Sequence, residues 1–280
     1  MDQTYIPTPS APIIRLMVLE TDKPHPDTFS ERGSFGQIVH HHFATAGRAH
    51  HPPLGVETDQ IFVVAEQGGR IPTVQEFDAF DGLLITGSVF DAHADNPWIL
   101  DLLALLRTLW ITRPAFRFVG VCFGHQLLAR LLGGTVGPAP SQDWELGHCR
   151  IDLTPVGRRI FRTADEYVHL HQMHQDQVVK APTAATAGPE LVAPDTRIEV
   201  WGRSEHTPVQ GLFIQNRLFT TQAHLAFDED MVKRQIQIRV ESGGIKDLEH
   251  ADRAAETGHL EHDGVEVAKA ALRLFVDEED

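Results

Sequence analysis

One of the two cysteines stands between two glycines in the segment Gly120 to Gln126, which reads G-V-C-F-G-H-Q. A mostly apolar run precedes this segment and a leucine-rich, helix-like run follows it, so the sequence predicts Cys122 on a strand-to-helix turn. Gly120 and Gly124 permit the sharp backbone path that such a turn needs. Because amides at a helix start favour negative charge, we expect a lowered thiol pKa and a nucleophilic thiolate. A cysteine that only packs under the turn would show the same pattern.

The final His-Gln completes the pattern G-x-C-x-G-x-Q, and with it the chain resembles the class I glutamine amidotransferase family. In that family the cysteine attacks the γ-carboxamide of glutamine to form a γ-glutamyl thioester, and the glutamine of the motif helps to hold the substrate. The resemblance implies that Cys122 is the nucleophile and that Gln126 binds substrate. The backbone N–H of Phe123 would hold the oxyanion, because negative charge develops on the carbonyl oxygen during attack.

A second stretch, residues 81–88, reads D-G-L-L-I-T-G-S and predicts a buried strand that ends at Gly87 and Ser88. It resembles the strand-Gly-Gly loop of the same family, with serine in the second position. The resemblance therefore implies a substrate contact at Gly87 and an oxyanion-holding N–H at Ser88. The continuation as far as Ile99 is similar to a branch of stand-alone proteins that includes γ-glutamyl peptidases, which favours hydrolysis over ammonia transfer.

The group that takes the thiol proton is expected to be His224, at the end of the strand-like run R-L-F-T-T-Q-A-H. The last three letters resemble the family's Q-x-H, which normally continues as Pro-Glu. The family's glutamate orients the imidazole and stabilises its charged form. This chain has Leu225 and Ala226 at those two positions, so its triad is incomplete.

Three outcomes follow from the missing glutamate. A cysteine and histidine pair is sufficient in the first, because thiols are nucleophilic without much assistance. In the second, Asp228, Glu229 or Asp176 approaches His224 in space and replaces the glutamate. In the third, the site has changed to another reaction or to binding alone.

A third stretch, His169 to Val178, reads H-L-H-Q-M-H-Q-D-Q-V and resembles the loop beside the family's active-site cysteine. The family's His-x-Asp falls on His174 and Asp176, so the resemblance places both in the substrate site. His169 and His171 alternate on one strand face, which raises the question of a metal site. Because no cysteine or carboxylate stands at ligand spacing with them, we expect neither a metal nor another cofactor.

The net charge of −15 over 280 residues argues against a nucleic acid or an anionic membrane as partner. No apolar run approaches the ~20 residues that span a bilayer, and Met1 to Ser10 lacks the features of a secretory signal. Two cysteines do not make a disulfide framework. We expect a cytoplasmic protein with a small γ-glutamyl substrate. If ammonia were its product, the synthetase that consumes it would be a separate chain, since no linker tethers one.

Strand-like and helix-like stretches alternate, which predicts a parallel sheet covered on both faces. The predicted strands are 13–19, 60–65, 82–86 and 116–121, and the predicted helices are 34–46, 98–111 and 125–132. With the resemblance, this predicts a three-layer αβα sandwich of the flavodoxin-like, class I amidotransferase type, with sites at the carboxyl ends of strands. We expect an amidotransferase-like domain over residues 1–240. An extension over residues 241–280, with a closing helix at 265–276, is expected to pack on it.

Two functions remain open at this point. In one, the protein is a γ-glutamyl hydrolase or amidotransferase-like enzyme that uses Cys122 on glutamine, glutathione or a γ-glutamyl conjugate. In the other, it is a degenerate relative with a non-hydrolytic or accessory role in a biosynthetic pathway, because Ala226 replaces the triad glutamate.

Overall fold

The computed structural model describes residues 4–5 and 11–276, so most of Met1 to Ser10, the segment predicted to lack a secretory signal, lies outside the described residues. The strands are β1 (Thr4–Tyr5), β2 (Ile13–Glu20), β3 (Gly55–Phe62), β4 (Gly82–Ile85), β5 (Arg117–Val121), β6 (Thr135–Pro138), β7 (Glu145–Leu153), β8 (Tyr167–His174), β9 (Asp176–Lys180), β10 (Glu199–Arg203), β11 (Gly211–Ile214) and β12 (Leu218–Thr221). The helices are α1 (Pro26–Arg32), α2 (Phe35–Ala49), α3 (Pro97–Thr112), α4 (Phe123–Leu131), α5 (Pro155–Phe161), α6 (Ala184–Ala187), α7 (Glu229–Glu241), α8 (Leu248–Glu256) and α9 (Gly264–Arg273).

The main sheet has the strand order β1-β3-β2-β4-β5-β12-β11-β10-β7-β8. Its centre, β3-β2-β4-β5-β12, is parallel throughout and has the strand order of a flavodoxin-like, doubly wound sheet. The strands from β11 to β8 extend it in antiparallel pairs, and β6 and β9 form a separate small sheet. The predicted α/β fold class is confirmed, with an antiparallel extension beside the parallel centre.

Helices cover both faces of this sheet. On one face α2 and α9 pack over an apolar core that includes Phe43 and Leu272, and on the other α3 and α4 cover a core with Leu106 and Leu128. All four side chains are fully buried. A smaller apolar cluster lies under α7 and α8 at one end of the sheet. The structure therefore has the three predicted layers.

Three predicted elements differ in their bounds by three residues or more, and one of them is the closing helix, which covers Gly264–Arg273 rather than 265–276. The helix after Ser34 begins as expected, because Ser34 and Gln37 form a reciprocal capping box, but it runs past its predicted stop to Ala49. Gly47 lies inside the helix, at a position where a β-carbon would lie 2.6 Å from the carbonyl oxygen of Leu54 and a side chain has no space. The second strand covers Gly55–Phe62 rather than 60–65, and its middle, Glu57 to Gln60, is a polar stretch that hydrophobicity alone does not reveal.

The C-terminal residues form helices that contact the rest of the chain: α8 packs on β7 and α9 on α2. The division at residue 240 stays a prediction. Among the described residues, no helix combines the length and the apolar character needed to cross a membrane.

The turn after β5 depends on close backbone packing. A β-carbon on Gly124 would lie 2.4 Å from the carbonyl oxygen of Ile85 in β4, and one on Gly120 would lie 2.6 Å from the carbonyl of Gly124. Strand, turn and helix are therefore in contact through their main chains, which leaves no space for a side chain at either glycine.

We expect Gly124→Ala to lower the free energy of unfolding by about 1–3 kcal/mol, because the added methyl group must displace the β4 backbone. Denaturant unfolding monitored by fluorescence measures this change. Gly137→Ala is the matched control, since a β-carbon on Gly137 meets no atom within 4 Å. Equal stability of the two variants would show that the turn can relax without cost.

Four histidines meet where the β7–β8 hairpin contacts the C-terminal residues. The ring centroid of His148 lies 4.6 Å from that of His169 and 5.7 Å from that of His171. The ring centroids of His171 and His262 are 4.8 Å apart. His171 is fully buried, and neither of its ring nitrogens has a hydrogen-bond partner among the described residues. Burial, reinforced by His262 and His148, lowers the pKa of His171 to about 4, so the ring is neutral at physiological pH.

A lowered pKa in the fold means that the unfolded chain binds the proton more tightly. The contribution of His171 is therefore complete above its ordinary pKa of 6.5 and is lost as the pH falls towards 4. We expect the free energy of unfolding to drop between about pH 7.5 and about pH 5, and to drop less in His171→Leu. Denaturant titrations at the two pH values measure the slope. His41→Leu, on the exposed face of α2, is the control, and an unchanged slope in His171→Leu would contradict the assignment.

Candidate active site

Cys122 occupies the turn between β5 and α4, at the carboxyl edge of the parallel strands. Its φ of 51° and ψ of −104° lie outside the regions that non-glycine residues usually adopt. Hydrogen bonds hold the main chain on both sides, since its N–H donates to the Thr221 carbonyl at 2.8 Å and its carbonyl accepts from the Gln126 N–H at 3.0 Å. The thiol therefore stands on a strand-turn-helix unit, with only 6% of the residue exposed.

The electrostatics of this thiol differ from the expectation. Burial raises the pKa of Cys122 to about 12, and the opposing effects of the Phe123 N–H and the positive charge of Arg239 are smaller. The prediction of a lowered pKa was wrong because the sequence reveals the helix amides but not the loss of solvent around the sulfur. Cys122 is a neutral thiol in the resting protein.

His224 follows β12 and reaches the same edge of the sheet. Its N–H donates to the His171 carbonyl at 2.9 Å, and its ring stacks on Phe227 with centroids 4.0 Å apart. Burial lowers the pKa of His224 to about 3, and the neighbouring His174 acts in the same direction. The imidazole is therefore neutral at physiological pH and can accept a proton.

Gly87 lies close to the side chains of both Cys122 and His224. A β-carbon at this position would lie 2.8 Å from His224 Cε1 and 3.5 Å from Cys122 Cβ, so all three residues meet around one point. They line a single cavity together with Ser88. The structure thus brings together four of the residues singled out from the sequence.

The loop that carries Ser88 is held from the end of β2. The Thr21 hydroxyl donates to the Gly87 carbonyl at 2.9 Å, the Ser88 hydroxyl donates to the Thr21 carbonyl at 2.7 Å, and the Asp22 carboxylate accepts the Val89 N–H at 2.8 Å. On the opposite side, the Phe123 N–H is directed at the Cys122 sulfur. The two N–H groups expected to hold an oxyanion thus belong to fixed segments on either side of the thiol, and that role stays a prediction.

None of the three carboxylates considered as a replacement for the triad glutamate contacts His224. Each pairs with a basic side chain elsewhere: Asp228 with Arg32, Glu229 with Lys233 and Asp176 with His93. Ala226 lines the cavity at the position where the family has glutamate. The groups of the described residues that act most on the imidazole lower its pKa, and no carboxylate is among them. The site is a cysteine and histidine pair without an orienting carboxylate.

Gln126 and His174 do not belong to the lining of this cavity. The Gln126 amide donates to the Asp176 carbonyl at 2.7 Å and to Gln222 Oε1 at 3.1 Å. His174 Nε2 lies 3.0 Å from the buried Glu145 carboxylate, and its Nδ1 lies 2.9 Å from the Asp176 carbonyl. These contacts brace α4 against the β8–β9 turn. The substrate contacts expected of Gln126, His174 and Asp176 stay predictions.

The metal-ligating side chains that converge in the described part of the chain are Asp91, His93 and Asp176, whose ligand atoms lie within 4.8 Å of one another. His169 and His171 do not belong to this group. Asp91 and His93 are exposed, and acidic groups at a surface commonly hold no ion. The expectation of no metal stays a prediction.

Three residues of the site were not singled out from the sequence. Asp22 follows the end of β2, where side chains of parallel strands gather, so its position was a usable signal. Gln222 begins the Q-A-H stretch, and its amide lowers the Cys122 pKa. No sequence pattern indicated Arg239, because this residue reaches the cavity only through the packing of α7.

Comparisons with known proteins show relatives in sequence and in fold. Gamma-glutamyl peptidase 2 of Arabidopsis thaliana is 24% identical over 223 residues, covering 79% of this chain and 78% of the relative. Gamma-glutamyl peptidase 5 of the same plant is 29% identical over 193 residues, covering 68% and 70%. The crystal structure of a glutamine amido transferase from Methylobacillus flagellatus superposes with a TM-score of 0.61 at 20% identity over 96% of this chain and 98% of that one, which shows the shared fold.

The family model described as Glutamine amidotransferase class-I matches residues 68–229, a span that contains the Ser88 loop, the Cys122 turn and His224. Because this match takes in more than half of the 280 residues, the chain belongs to the class I glutamine amidotransferase family.

Proposed function

We propose that the protein is a cysteine-dependent γ-glutamyl hydrolase that acts on glutamine, glutathione or a γ-glutamyl conjugate. The observation that carries the proposal is the meeting of Cys122, His224 and Gly87 at one cavity, at the edge of the sheet where α/β proteins place their sites. The likeness to two gamma-glutamyl peptidases supports the choice of a γ-glutamyl substrate.

In the first half of the proposed reaction the Cys122 sulfur attacks the γ-carbonyl carbon, and the thiol proton passes to His224. The N–H groups of Ser88 and Phe123 stabilise the oxyanion. When the tetrahedral intermediate collapses, the carbon–nitrogen bond breaks and the leaving amine takes the proton from His224. A γ-glutamyl thioester remains on Cys122.

In the second half a water molecule attacks the thioester while His224 takes one of its protons. Collapse breaks the carbon–sulfur bond, His224 returns the proton to the Cys122 sulfur, and glutamate leaves. Gln126 acts in this scheme by holding the glutamyl end beside the turn. Atoms and charges balance in both halves of the reaction without a cofactor.

The pKa values determine how the first step proceeds. With the pKa of Cys122 raised to about 12 and that of His224 lowered to about 3, the resting pair is a thiol and a neutral imidazole. Proton transfer must therefore accompany attack rather than precede it. Sulfur tolerates this route because a thiol is a better nucleophile than an alcohol at the same degree of ionisation.

A second candidate function is favoured by a specific observation. The missing carboxylate beside His224 and the raised pKa of Cys122 are also what a degenerate relative would show. Such a protein would bind a γ-glutamyl compound, or serve a biosynthetic pathway as an accessory chain, without hydrolysis.

We also propose a small-molecule substrate and a reducing, cytoplasmic setting, without nucleic acid or membrane as partner. The net charge of −15 supports the exclusion of phosphate-rich partners, and a free nucleophilic thiol works only while it stays reduced. If ammonia were transferred, a separate synthetase chain would be the recipient.

We expect Cys122→Ala to abolish release of glutamate from glutamine, glutathione and S-substituted glutathione, because no other group can form the thioester. An enzyme-coupled glutamate assay measures turnover, and intact-mass spectrometry detects the γ-glutamyl protein. Cys149→Ala is the control, since this thiol lies on β7 outside the cavity lining. Turnover that survives in Cys122→Ala would disprove the mechanism, and absence of turnover in the unaltered protein would favour the accessory role.

Restoring the missing carboxylate should activate the pair. We expect Ala226→Glu to raise the His224 pKa, to speed alkylation of Cys122 at neutral pH and to increase kcat by about tenfold or more, since an orienting carboxylate stabilises the imidazolium. Ala226→Gln supplies the same volume without charge and should do none of these. If Glu and Gln behaved alike at position 226, charge stabilisation of His224 would not be what limits this site.

A further inference from the structure

The cavity beside Cys122 is mostly apolar. Side chains from α2, β8, α7 and the segment before α7 form its walls: Phe35, Ile38, Val39, Met173, Phe227 and Met231. If glutamine were the substrate, its leaving group would be ammonia, which is too small to contact these walls. The charged α-amino group of a glutamyl end would lose hydration against these walls, and both carboxylate oxygens of Asp22, the acidic residue in the lining, already accept backbone N–H groups. The walls instead match an apolar group of the size of an amino-acid side chain or larger.

One cation faces this cavity. Arg239 lies in the last turn of α7. Its guanidinium makes neither an ion pair nor a hydrogen bond with any described residue, and it lies 5.5 Å from the ring of Trp144. Two other cations on the same helix are paired, Arg234 with Glu31 at 2.7 Å and Lys233 with Glu229 at 2.6 Å. Arg239 is thus the cation on this helix that is left available to a ligand.

The other charged residue in the lining is already engaged. The two carboxylate oxygens of Asp22 accept the N–H groups of Lys23 and Val89, each at 2.8 Å, which fixes the loop that carries Ser88. Asp22 therefore holds the loop. The charge of Arg239 opposes the rise in the Asp22 pKa that burial causes, but no ion pair joins the two side chains, so the guanidinium donors of Arg239 remain available to a ligand. An anion in the cavity would complement the charge of Arg239.

The roles proposed for the groups around the thiol indicate which part of a substrate would occupy the cavity. In the proposed mechanism the oxyanion lies between Ser88 and Phe123, and the glutamyl end lies towards Gln126, which is outside the cavity lining. The remaining substituent on the γ-carbonyl carbon is the leaving amine. Since the other two substituents are assigned elsewhere, the cavity lined by α2 and α7 is left for this amine.

We propose that this cavity binds the leaving group, and that it selects amines with an apolar body and a carboxylate that pairs with Arg239. Resting on the proposed function, the inference adds the chemical class of the substrate: γ-glutamyl derivatives of apolar amino acids, or of peptides with an apolar substituent, in preference to glutamine.

Three substrates separate the contributions of the apolar wall and the cation. γ-Glutamyl-phenylalanine carries both features, γ-glutamyl-phenethylamide lacks only the carboxylate, and glutamine lacks both. We expect kcat/KM to fall in that order, by about tenfold at each step. Arg239→Gln should remove the difference between the first two substrates. Because the charge of Arg239 also acts on the pKa of Cys122, each variant is judged by the ratios of kcat/KM between substrates and not by its absolute rates. Arg234→Gln, on the same helix but outside the cavity, should preserve the whole order.

Binding without turnover gives an independent measurement. Calorimetry with 3-phenylpropionate and its uncharged amide, 3-phenylpropanamide, should show at least about tenfold tighter binding of the acid, and Arg239→Gln should equalise the two. If the acid binds in this Arg239-dependent way while no γ-glutamyl compound is hydrolysed, the cavity assignment stands and the hydrolase proposal fails.

Two results would overturn the inference while leaving the hydrolase proposal intact. In one, γ-glutamyl compounds are hydrolysed, but Arg239→Gln lowers kcat/KM equally for all three, which would place the glutamyl end itself at Arg239. In the other, the acid and the amide bind equally well to the unaltered protein, which would show that the cation does not contact the occupant.

Discussion

Close contact between backbones at the turn after β5 is the constraint on which the rest of the site depends. Gly120 and Gly124 let the turn approach α4 and β4 more closely than any side chain would permit, and this approach sets the position of Cys122. The unusual φ of Cys122 is maintained by hydrogen bonds on both sides of it. Because β12 is the parallel neighbour of β5, the same sheet edge also delivers His224 to the thiol.

Loss of solvent governs the chemistry of the pair that this packing creates. The apolar walls that raise the Cys122 pKa and lower the His224 pKa also shape the cavity. Ala226 is one of the apolar residues that line this cavity. A carboxylate at that position would enter an apolar cavity, where it would need its own partners to remain charged. The incomplete triad and the apolar cavity are therefore two aspects of one arrangement, in which charge separation is disfavoured until a substrate is present.

The sequence predicted what local pattern determines and missed what distant segments contribute. The turn at Cys122, the capped start of α2 and the parallel centre of the sheet follow from glycine spacing, capping residues and alternation of elements. The raised thiol pKa could not be predicted, because it depends on side chains from several elements that exclude water. Arg239 could not be predicted either, since α7 follows the last strand and its packing direction has no sequence signature.

A neutral pair in an apolar cavity requires that the energy for charge separation come from the substrate. A small leaving group leaves water in the cavity, and that water must reorganise as the thiolate character develops. A large apolar leaving group displaces this water, so the Phe123 and Ser88 N–H groups act on the oxyanion in a medium of lower polarity. Its binding energy is gained far from the reacting carbon and can be used to align the carbonyl with the sulfur. On this basis the missing carboxylate, the apolar walls and the unpaired Arg239 are all consistent with one substrate class, in which the group that departs contributes as much to recognition as the glutamyl group.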